Sequence, residues 1–311
     1  MHTWLSLAAI LFFGLTVAAA PATQASSDTP LDQWIGIVDG QIIYHEFPSA
    51  PYPHPSRANG YTKKTGHDVM LYSVEDHYSD PTVGIFIPST FKPTDTTSYI
   101  VHFHGWNHHV AVVFKEYNLP HELVMSKANA ILIVPQLPRD APDSGGGKLE
   151  LDQDGLRNLL TDVTAFLQAQ HKITSSTLGK VVITAHSGGF KTAGAVLHRG
   201  GLADHITDCI LFDASYGSHE YFTEWVAASP SHRLVSFYTD HLAPENQTIM
   251  GLLGKANIKY IQLPESDLSA AALASRTPFF MHTNLAHDDV VAKHDFFSLT
   301  ISTSALMHDA P

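Results

Sequence analysis

Ser187 stands where a serine can act as a nucleophile. It follows the apolar run KVVIT, with Ala185 two residues before it, Gly188 and Gly189 directly after it, and a helix-like stretch beyond. A serine on a sharp turn between a strand and a helix needs small neighbours, because the two elements approach each other closely there. The pattern predicts a reactive hydroxyl at the end of a buried strand. The alternative is a serine that only caps the following helix.

Two other stretches offer rival assignments. Ser215 also follows a strand-like run, but Asp213, two residues before it, is too bulky for such a turn. The stretch 144–148 (SGGGK) lacks the first glycine of a phosphate-binding loop, so it is typical of a flexible loop. Ser187 is therefore the predicted nucleophile.

A nucleophilic serine needs a base, and His287 has the most suitable position. It lies in the predicted loop between the last apolar strand and a helix-like segment, 288–301. Chemistry in sheets of this kind gathers outside the carboxyl ends of the strands, which is where this loop begins. His282, predicted inside the strand, and His294, predicted inside the helix, are the alternatives. Taken alone, His287 is also consistent with an ordinary loop histidine.

Two aspartates compete to orient the base. Asp213 ends the run DCILFD, and Asp240 ends the run RLVSFYTD. We favour Asp213, because it follows an apolar run directly and a buried charge needs a partner such as a protonated histidine. Asp240 is the alternative. Either residue can instead cap the helix that follows it.

The segment YIVHFHGWNHH has two interpretations. Its histidines, at positions 102, 104, 108 and 109, suggest a metal site. Their spacing, however, differs from the H-x-H-x-D-H pattern of metallo-β-lactamase-like enzymes, because Trp106 stands where the aspartate belongs. We therefore expect no bound metal. The other interpretation is a loop that binds negative charge through its backbone.

Several of these motifs resemble those of α/β-hydrolases. Ser187 and its neighbours resemble the G-x-S-x-G nucleophile elbow, with alanine in place of the first glycine. His104-Gly105-Trp106 resembles the H-G-x segment of esterases and lipases. The order serine, aspartate, histidine also matches, and the resemblance covers about residues 80–302.

The resemblance implies roles for further residues. The backbone N–H groups of Gly188 and Trp106 would form the oxyanion hole. The family usually places its acid at the position of Asp240 and in a minority of members at that of Asp213, and the segment DASYG is similar to that of members that retain the earlier aspartate. No cofactor is implied.

The elements around these residues alternate in type. Runs such as AILIV and VVIT are continuously apolar, as in strands buried on both faces. The sequence thus predicts an α/β fold, specifically the α/β-hydrolase fold, with a mostly parallel central sheet covered by helices on both faces. The runs HDVMLYSV and TVGIFIP have no helix between them and predict an antiparallel N-terminal hairpin. Helix-like segments span 152–170, 189–199, 217–228 and 245–255.

The first residues predict export. An apolar run at residues 4–17 is followed by small residues, which is typical of a signal peptide over residues 1–25. We expect an N-terminal extension at 26–66, a catalytic domain at 67–311 and no membrane span after cleavage. The protein is predicted to be secreted or periplasmic.

Charge narrows the range of partners. The formal net charge of -12 argues against nucleic acid and anionic membranes, which need a basic face. We therefore predict a secreted serine hydrolase that cleaves an ester or amide bond of a small molecule or polymer through an acyl-enzyme intermediate. Carboxylesterase activity is favoured as the commoner activity of the fold. The alternatives are a serine peptidase or amidase, and a non-catalytic binding protein on the same fold.

Overall fold

One large sheet forms the centre of the protein. The structure is a computed structural model that describes residues 39–309. The strands, in chain order, are β1 (Gly40–Glu46), β2 (Tyr61–Thr65), β3 (Asp68–Tyr72), β4 (Thr82–Pro88), β5 (Thr97–Phe103), β6 (Ile131–Pro135), β7 (Leu178–His186), β8 (Ile206–Phe212), β9 (Arg233–Tyr238), β10 (Ile261–Pro264) and β11 (Phe279–His282).

The central sheet has nine strands in the order β1-β4-β6-β5-β7-β8-β9-β11-β10. β4 runs antiparallel to both β1 and β6, and every pair from β6 onward to β10 is parallel. The prediction of a mostly parallel central sheet is therefore confirmed.

Helices cover both faces of this sheet. One apolar core packs the faces of five helices against strand residues such as Val101 and Ile183, and a second core lies on the other face around Ile100 and Val182. This arrangement confirms the α/β-hydrolase fold. The helices are α1 (Val74–His77), α2 (Val110–Glu116), α3 (Leu119–Ser126), α4 (Gly147–Leu151), α5 (Gly155–Ala169), α6 (Phe190–Arg199), α7 (His219–Ala228), α8 (Ala243–Lys255), α9 (Ala270–Leu273), α10 (Asp289–Ala292) and α11 (Phe296–Ile301).

An antiparallel N-terminal hairpin is present, but its strands differ from the predicted pair. β3 pairs with β2 in a separate two-stranded sheet, with Tyr61 opposite Tyr72. The run TVGIFIP instead becomes β4 inside the central sheet, where β1 and β6 supply its partners. The predicted pairing of HDVMLYSV with TVGIFIP was wrong because the turn at Gly66 offers β3 a closer partner than β4.

Two further elements differ from the sequence prediction. Strand β1 lies within the segment 26–66 and forms one edge of the central sheet. The predicted helix 288–301 is two short helices, α10 and α11, because His294 and Asp295 between them have positive φ angles of 62° and 54°. His294 thus lies in a connection between helices and not inside one.

The parallel strands bring distant chain segments together at the carboxyl-terminal end of the sheet. β7, β8, β9 and β11 are consecutive neighbours in the parallel part of the sheet. Ser187, Asp213 and His287 follow β7, β8 and β11 within five residues of each strand's end. Side chains that follow the carboxyl ends of such strands meet in the crevice outside the sheet. Among residues 39–309, no helix is long and apolar enough to cross a membrane.

Candidate active site

The turn at Ser187 has the backbone of a strained elbow. Ser187 has a φ of 51°, in the left-handed region that residues other than glycine and asparagine adopt rarely. A Cβ on Gly189 would lie 2.2 Å from the carbonyl oxygen of Phe103, and a Cβ on Gly105 would lie 2.7 Å from Cβ of Ser187. Gly189 is therefore required by the close approach of the Phe103 backbone, and Gly105 by the close approach of the Ser187 side chain. Ala185 is fully buried opposite Phe103 on β5, so its single methyl group fits the place of the usual glycine.

A buried carboxylate contacts His287. Nδ1 of His287 lies 2.6 Å from Oδ2 of Asp213, which is fully buried, whereas a third of the His287 side chain is exposed. Thr239 donates to the same carboxylate from its backbone N–H at 2.8 Å and from its hydroxyl at 3.0 Å. Hydrogen bonds of this kind compensate a buried charge for its lost hydration. The Asp213 carboxylate thus accepts from both Thr239 groups, and its contact with His287 fixes the proton of that ring on Nδ1.

His287 also contacts the turn that contains Ser187. Its ring lies 4.7 Å from the ring of His186, the residue directly before Ser187. His186 is buried, and Nε2 of its ring lies 3.2 Å from the backbone carbonyl oxygen of His287. Burial lowers the pKa of His186 well below the usual value, so it stays neutral and donates this hydrogen bond. Sequence reasoning gave His186 no role, although its position before Ser187 was a signal.

The alternative acid, Asp240, and the alternative bases, His282 and His294, have other partners. The Asp240 side chain is 93% exposed and lies 2.7 Å from Nε2 of His282. Nδ1 of His294 lies 2.7 Å from Oε1 of Glu265. The structure therefore brings His287 together with Asp213, and it does not bring His287 together with Asp240.

The His104 side chain sets the orientation of the peptide group between Gly105 and Trp106. The N–H of Leu137 donates to Nε2 of buried His104 at 3.0 Å, so the ring proton is on Nδ1, which donates to the carbonyl oxygen of Gly105 at 2.8 Å. The N–H of Trp106 belongs to the same trans peptide group and points the opposite way. Burial lowers the pKa of His104 to about 4, which keeps this arrangement neutral at physiological pH.

Trp106 and Gly188 lie against each other. A Cβ on Gly188 would lie 2.6 Å from Cδ1 of the Trp106 ring. Gly188 is the second residue of a 3-10 turn, Ser187–Gly189, and N–H groups in a first turn have no acceptor within it. The Trp106 indole donates to Oγ of Ser144 at 2.8 Å, and the ammonium of Lys63 lies 4.4 Å above the ring. Both residues predicted for the oxyanion hole are therefore adjacent to Ser187.

The four clustered histidines have separate partners. Besides His104, Nδ1 of His102 lies 2.9 Å from the Thr184 hydroxyl, His108 contacts the carbonyl oxygen of Trp106 and His109 contacts Asp140. Within the described part of the chain, two groups have metal-ligand geometry, and neither includes these histidines. Both contain His287: His186 with His287 and Asp288, and Asp213 with His241 and His287.

Comparison of the structure with solved structures supports the fold. The chain is similar to a mutant feruloyl esterase module of Clostridium thermocellum complexed with sinapinate, at 11% identity and a TM-score of 0.53, with 86% of this chain and 88% of that chain covered. It is also similar to a ferulic acid esterase, at 10% identity and a TM-score of 0.50, with coverage of 87% and 100%. A scan against models of known families gave no match, and neither did a comparison with curated protein sequences.

Proposed function

We propose that the protein is a serine esterase in which Ser187 is the nucleophile, His287 the base and Asp213 the acid that orients it. The observation that carries the proposal is the 2.6 Å contact between His287 and the fully buried Asp213. This contact lies at the carboxyl-terminal end of the parallel strands, where Ser187 has a left-handed backbone. A carboxylate that fixes the imidazole tautomer beside a serine on a strained turn is the arrangement that acyl transfer needs.

The reaction would take two steps. Oγ of Ser187 attacks the acyl carbon while its proton moves to Nε2 of His287, whose Nδ1–H stays on Asp213. The carbonyl oxygen becomes an oxyanion, which the N–H groups of Gly188 and Trp106 stabilise. The leaving alcohol takes the proton from His287. Water then cleaves the acyl-enzyme with His287 again as the base, and no cofactor takes part.

Two aromatic side chains beside Ser187 suggest the kind of ester. Trp106 and Tyr216 are 41% and 42% exposed. Trp106 lies against Gly188, and the ring of Tyr216 packs on that of Phe190, with the ring centres 5.8 Å apart. Exposed rings of this size offer flat apolar surfaces to a planar group. The similar feruloyl esterase module holds sinapinate, an aromatic acid. Esters of aromatic acids are therefore the first substrates to test.

The test is hydrolysis of methyl sinapate and p-nitrophenyl acetate by the wild type and by Ser187→Ala. Buried Ser215, after the neighbouring strand, supplies the matched control Ser215→Ala. We expect turnover by the wild type and the control, and a loss of kcat of at least about a thousandfold in Ser187→Ala. A wild type that hydrolyses no ester would contradict the proposal, as would full activity in Ser187→Ala. The matching anilide distinguishes esterase from amidase activity.

Export is a separate part of the proposal. The predicted signal peptide, residues 1–25, lies outside the described residues, so its support is the apolar run followed by small residues. Expression with and without this segment tests it. We expect the full chain to appear outside the cytoplasm with a shortened N-terminus, and retention of an uncut chain would contradict the proposal.

A further inference from the structure

One carboxylate and two imidazole rings meet beside the proposed nucleophile. Nδ1 of His287 lies 2.6 Å from Oδ2 of Asp213, and Nε2 of His241 lies 3.6 Å from the same oxygen. The centres of the two rings are 5.5 Å apart. The three residues each offer one ligand atom, and these atoms all lie within 4.8 Å of one another. The proposed reaction uses His287 and Asp213, and it gives His241 no part.

This set of atoms is close to the geometry that Zn²⁺ prefers. The ion takes four ligands in a tetrahedron and binds histidine nitrogen and aspartate oxygen at about 2.0–2.2 Å, so its ligand atoms lie about 3.3 Å apart. The two distances to Oδ2 of Asp213, 2.6 Å and 3.6 Å, lie on either side of that value. Small rotations of the two rings therefore complete three corners of the tetrahedron, and water can be the fourth ligand.

The neighbours of His241 also suit a metal ligand. Its Nδ1 lies 2.6 Å from Oγ1 of Thr239, and that oxygen lies 3.0 Å from Oδ2 of Asp213. Histidines that bind a metal through one ring nitrogen usually hydrogen-bond the other nitrogen to a protein oxygen. Thr239 thus leaves Nε2 of His241 to face the ion. The Tyr216 hydroxyl contacts this nitrogen at 2.7 Å, but Tyr216 is 42% exposed and can turn toward solvent.

The two histidines give ions access to the buried carboxylate. The Asp213 side chain is fully buried, whereas the side chains of His241 and His287 are 48% and 33% exposed. A divalent cation brings opposite charge to this carboxylate in a place where water screens the attraction less than in solution. The formal net charge of -12 also favours the approach of cations.

We propose that His241, His287 and Asp213 form an inhibitory Zn²⁺ site. The inference rests on the proposed function, because the ion takes the base and the acid of the reaction. When Zn²⁺ binds Nδ1 of His287, the proton on that nitrogen is released to water and Nε2 takes one up, so the ring stays neutral. Nε2 then has no lone pair for the Ser187 proton. The zinc-bound protein cannot start acyl transfer, so the ion is an inhibitor and not a cofactor.

A second set of possible ligands shares His287. It consists of His186, His287 and Asp288. His186 is buried, and Nε2 of its ring lies 3.2 Å from the backbone carbonyl oxygen of His287. Its Nδ1 lies 2.9 Å from the hydroxyl of buried Tyr117. An ion on His186 must displace a partner inside the protein, so we place the ion on His241 and use Asp288 for the control.

The experiment measures inhibition by zinc chloride, and its reversal by EDTA, in the wild type, His241→Phe and Asp288→Asn. Phenylalanine can keep the ring contacts of His241 with Tyr216 and His287 but offers no ligand atom. Asp288→Asn removes a carboxylate of the second set only. We expect micromolar zinc to inhibit p-nitrophenyl acetate hydrolysis by the wild type and Asp288→Asn. The concentration for half inhibition should rise at least about tenfold in His241→Phe.

Isothermal titration calorimetry with zinc chloride measures the site without reference to activity. We expect the wild type to bind one zinc ion more than His241→Phe does, because the variant lacks one of the three protein ligands. Asp288→Asn should bind as many ions as the wild type.

The outcomes distinguish this inference from the function on which it rests. If the wild type hydrolyses the ester and zinc inhibits it no more strongly than His241→Phe, the zinc site is overturned and the serine esterase stands. Resistance to zinc in Asp288→Asn would assign the ion to the second set and overturn the site at His241. If the wild type hydrolyses no ester, the proposed function fails and calorimetry decides on the site, which equal ion counts in the wild type and His241→Phe would overturn.

Discussion

At the scale of residues, the two candidate acids differ in their surroundings. Asp213 is fully buried and accepts hydrogen bonds from His287 and Thr239, whereas Asp240 is 93% exposed beside His282. We expect Asp213→Asn to lower kcat by about a thousandfold or more, because the amide favours the wrong imidazole tautomer. Asp240→Asn should stay within twofold of the wild type. Equal kcat values in the two variants would contradict the assignment.

The orientation of the Trp106 amide gives a second prediction. His104→Gln offers an acceptor to Leu137 but no donor to the carbonyl oxygen of Gly105, whereas His104→Asn can still donate at the place of Nδ1. Loss of a whole oxyanion donor costs about 10²–10³ in kcat, so disorder of one should cost roughly tenfold to a hundredfold in the glutamine variant. The asparagine variant should lie nearer the wild type. Full kcat in His104→Gln would show that the His104 side chain does not determine the orientation of the Trp106 amide.

Sequence reasoning selected Ser187, Asp213 and His287 as candidates because each follows an apolar strand, and strand ends are visible in a sequence. The contact between Tyr216 and His241 was missed for a physical reason. Their positions depend on contacts between two loops that are 25 residues apart in the chain. A tyrosine in such a loop has no local pattern that separates it from any other surface tyrosine.

At the scale of elements, burial keeps two histidines neutral at the end of strand β5: His102 within the strand and His104 directly after it. Burial lowers the pKa of His102 to about 3 and that of His104 to about 4, from the usual 6.5. The unfolded chain therefore takes up protons below pH 6.5 that the folded protein does not. Folding stability is thus fully present above pH 6.5 and falls as the pH drops toward the folded values.

We predict that His102 alone removes about 2 kcal/mol of unfolding free energy between pH 7 and pH 5. Urea unfolding of the wild type and of His102→Leu at both pH values measures this. The leucine variant should show a pH dependence smaller by about that amount, whatever its overall stability. His67→Leu, at an exposed position, is the control. An unchanged pH dependence in His102→Leu would contradict the neutral, buried state of His102.

Elements were predicted well where they are long and buried. The helices near 152–170, 189–199, 217–228 and 245–255 correspond to α5, α6, α7 and α8. The partner of β3 was not predictable from periodicity, because the apolar pattern of a strand does not determine which other strand it pairs with. The break at His294 was also missed, since a positive φ at two non-glycine residues leaves little trace in the sequence.

At the scale of the whole molecule, a buried ion cluster ties the C-terminal segment to the sheet. Nε of the fully buried Arg233 lies 2.5 Å from Oδ1 of Asp208, and Arg276 contacts the same oxygen at 2.9 Å. Arg233 also donates to the carbonyl oxygens of Leu273 and Thr300. It is the first residue of β9, so it lies at the amino-terminal end of the parallel strands, whereas Asp213 follows the carboxyl-terminal end of β8. The cluster therefore serves stability and not chemistry.

Arg233→Met should lower the free energy of unfolding by about 3–5 kcal/mol, because it leaves a buried carboxylate undercompensated. Lys293→Met, which removes an exposed pair with Asp289, should cost less than about 1 kcal/mol. Denaturant unfolding measures both, and kcat per folded molecule should stay unchanged. A cost in Arg233→Met as small as that in Lys293→Met would show that the cluster does not hold the fold together.

The most direct test of the account is the identity of the residue that a fluorophosphonate modifies. The serine esterase proposal predicts one adduct per chain on the peptide that contains Ser187, found by mass spectrometry in the wild type and in Ser215→Ala and missing in Ser187→Ala. An unmodified wild type, or an adduct that persists in Ser187→Ala, would contradict the central claim.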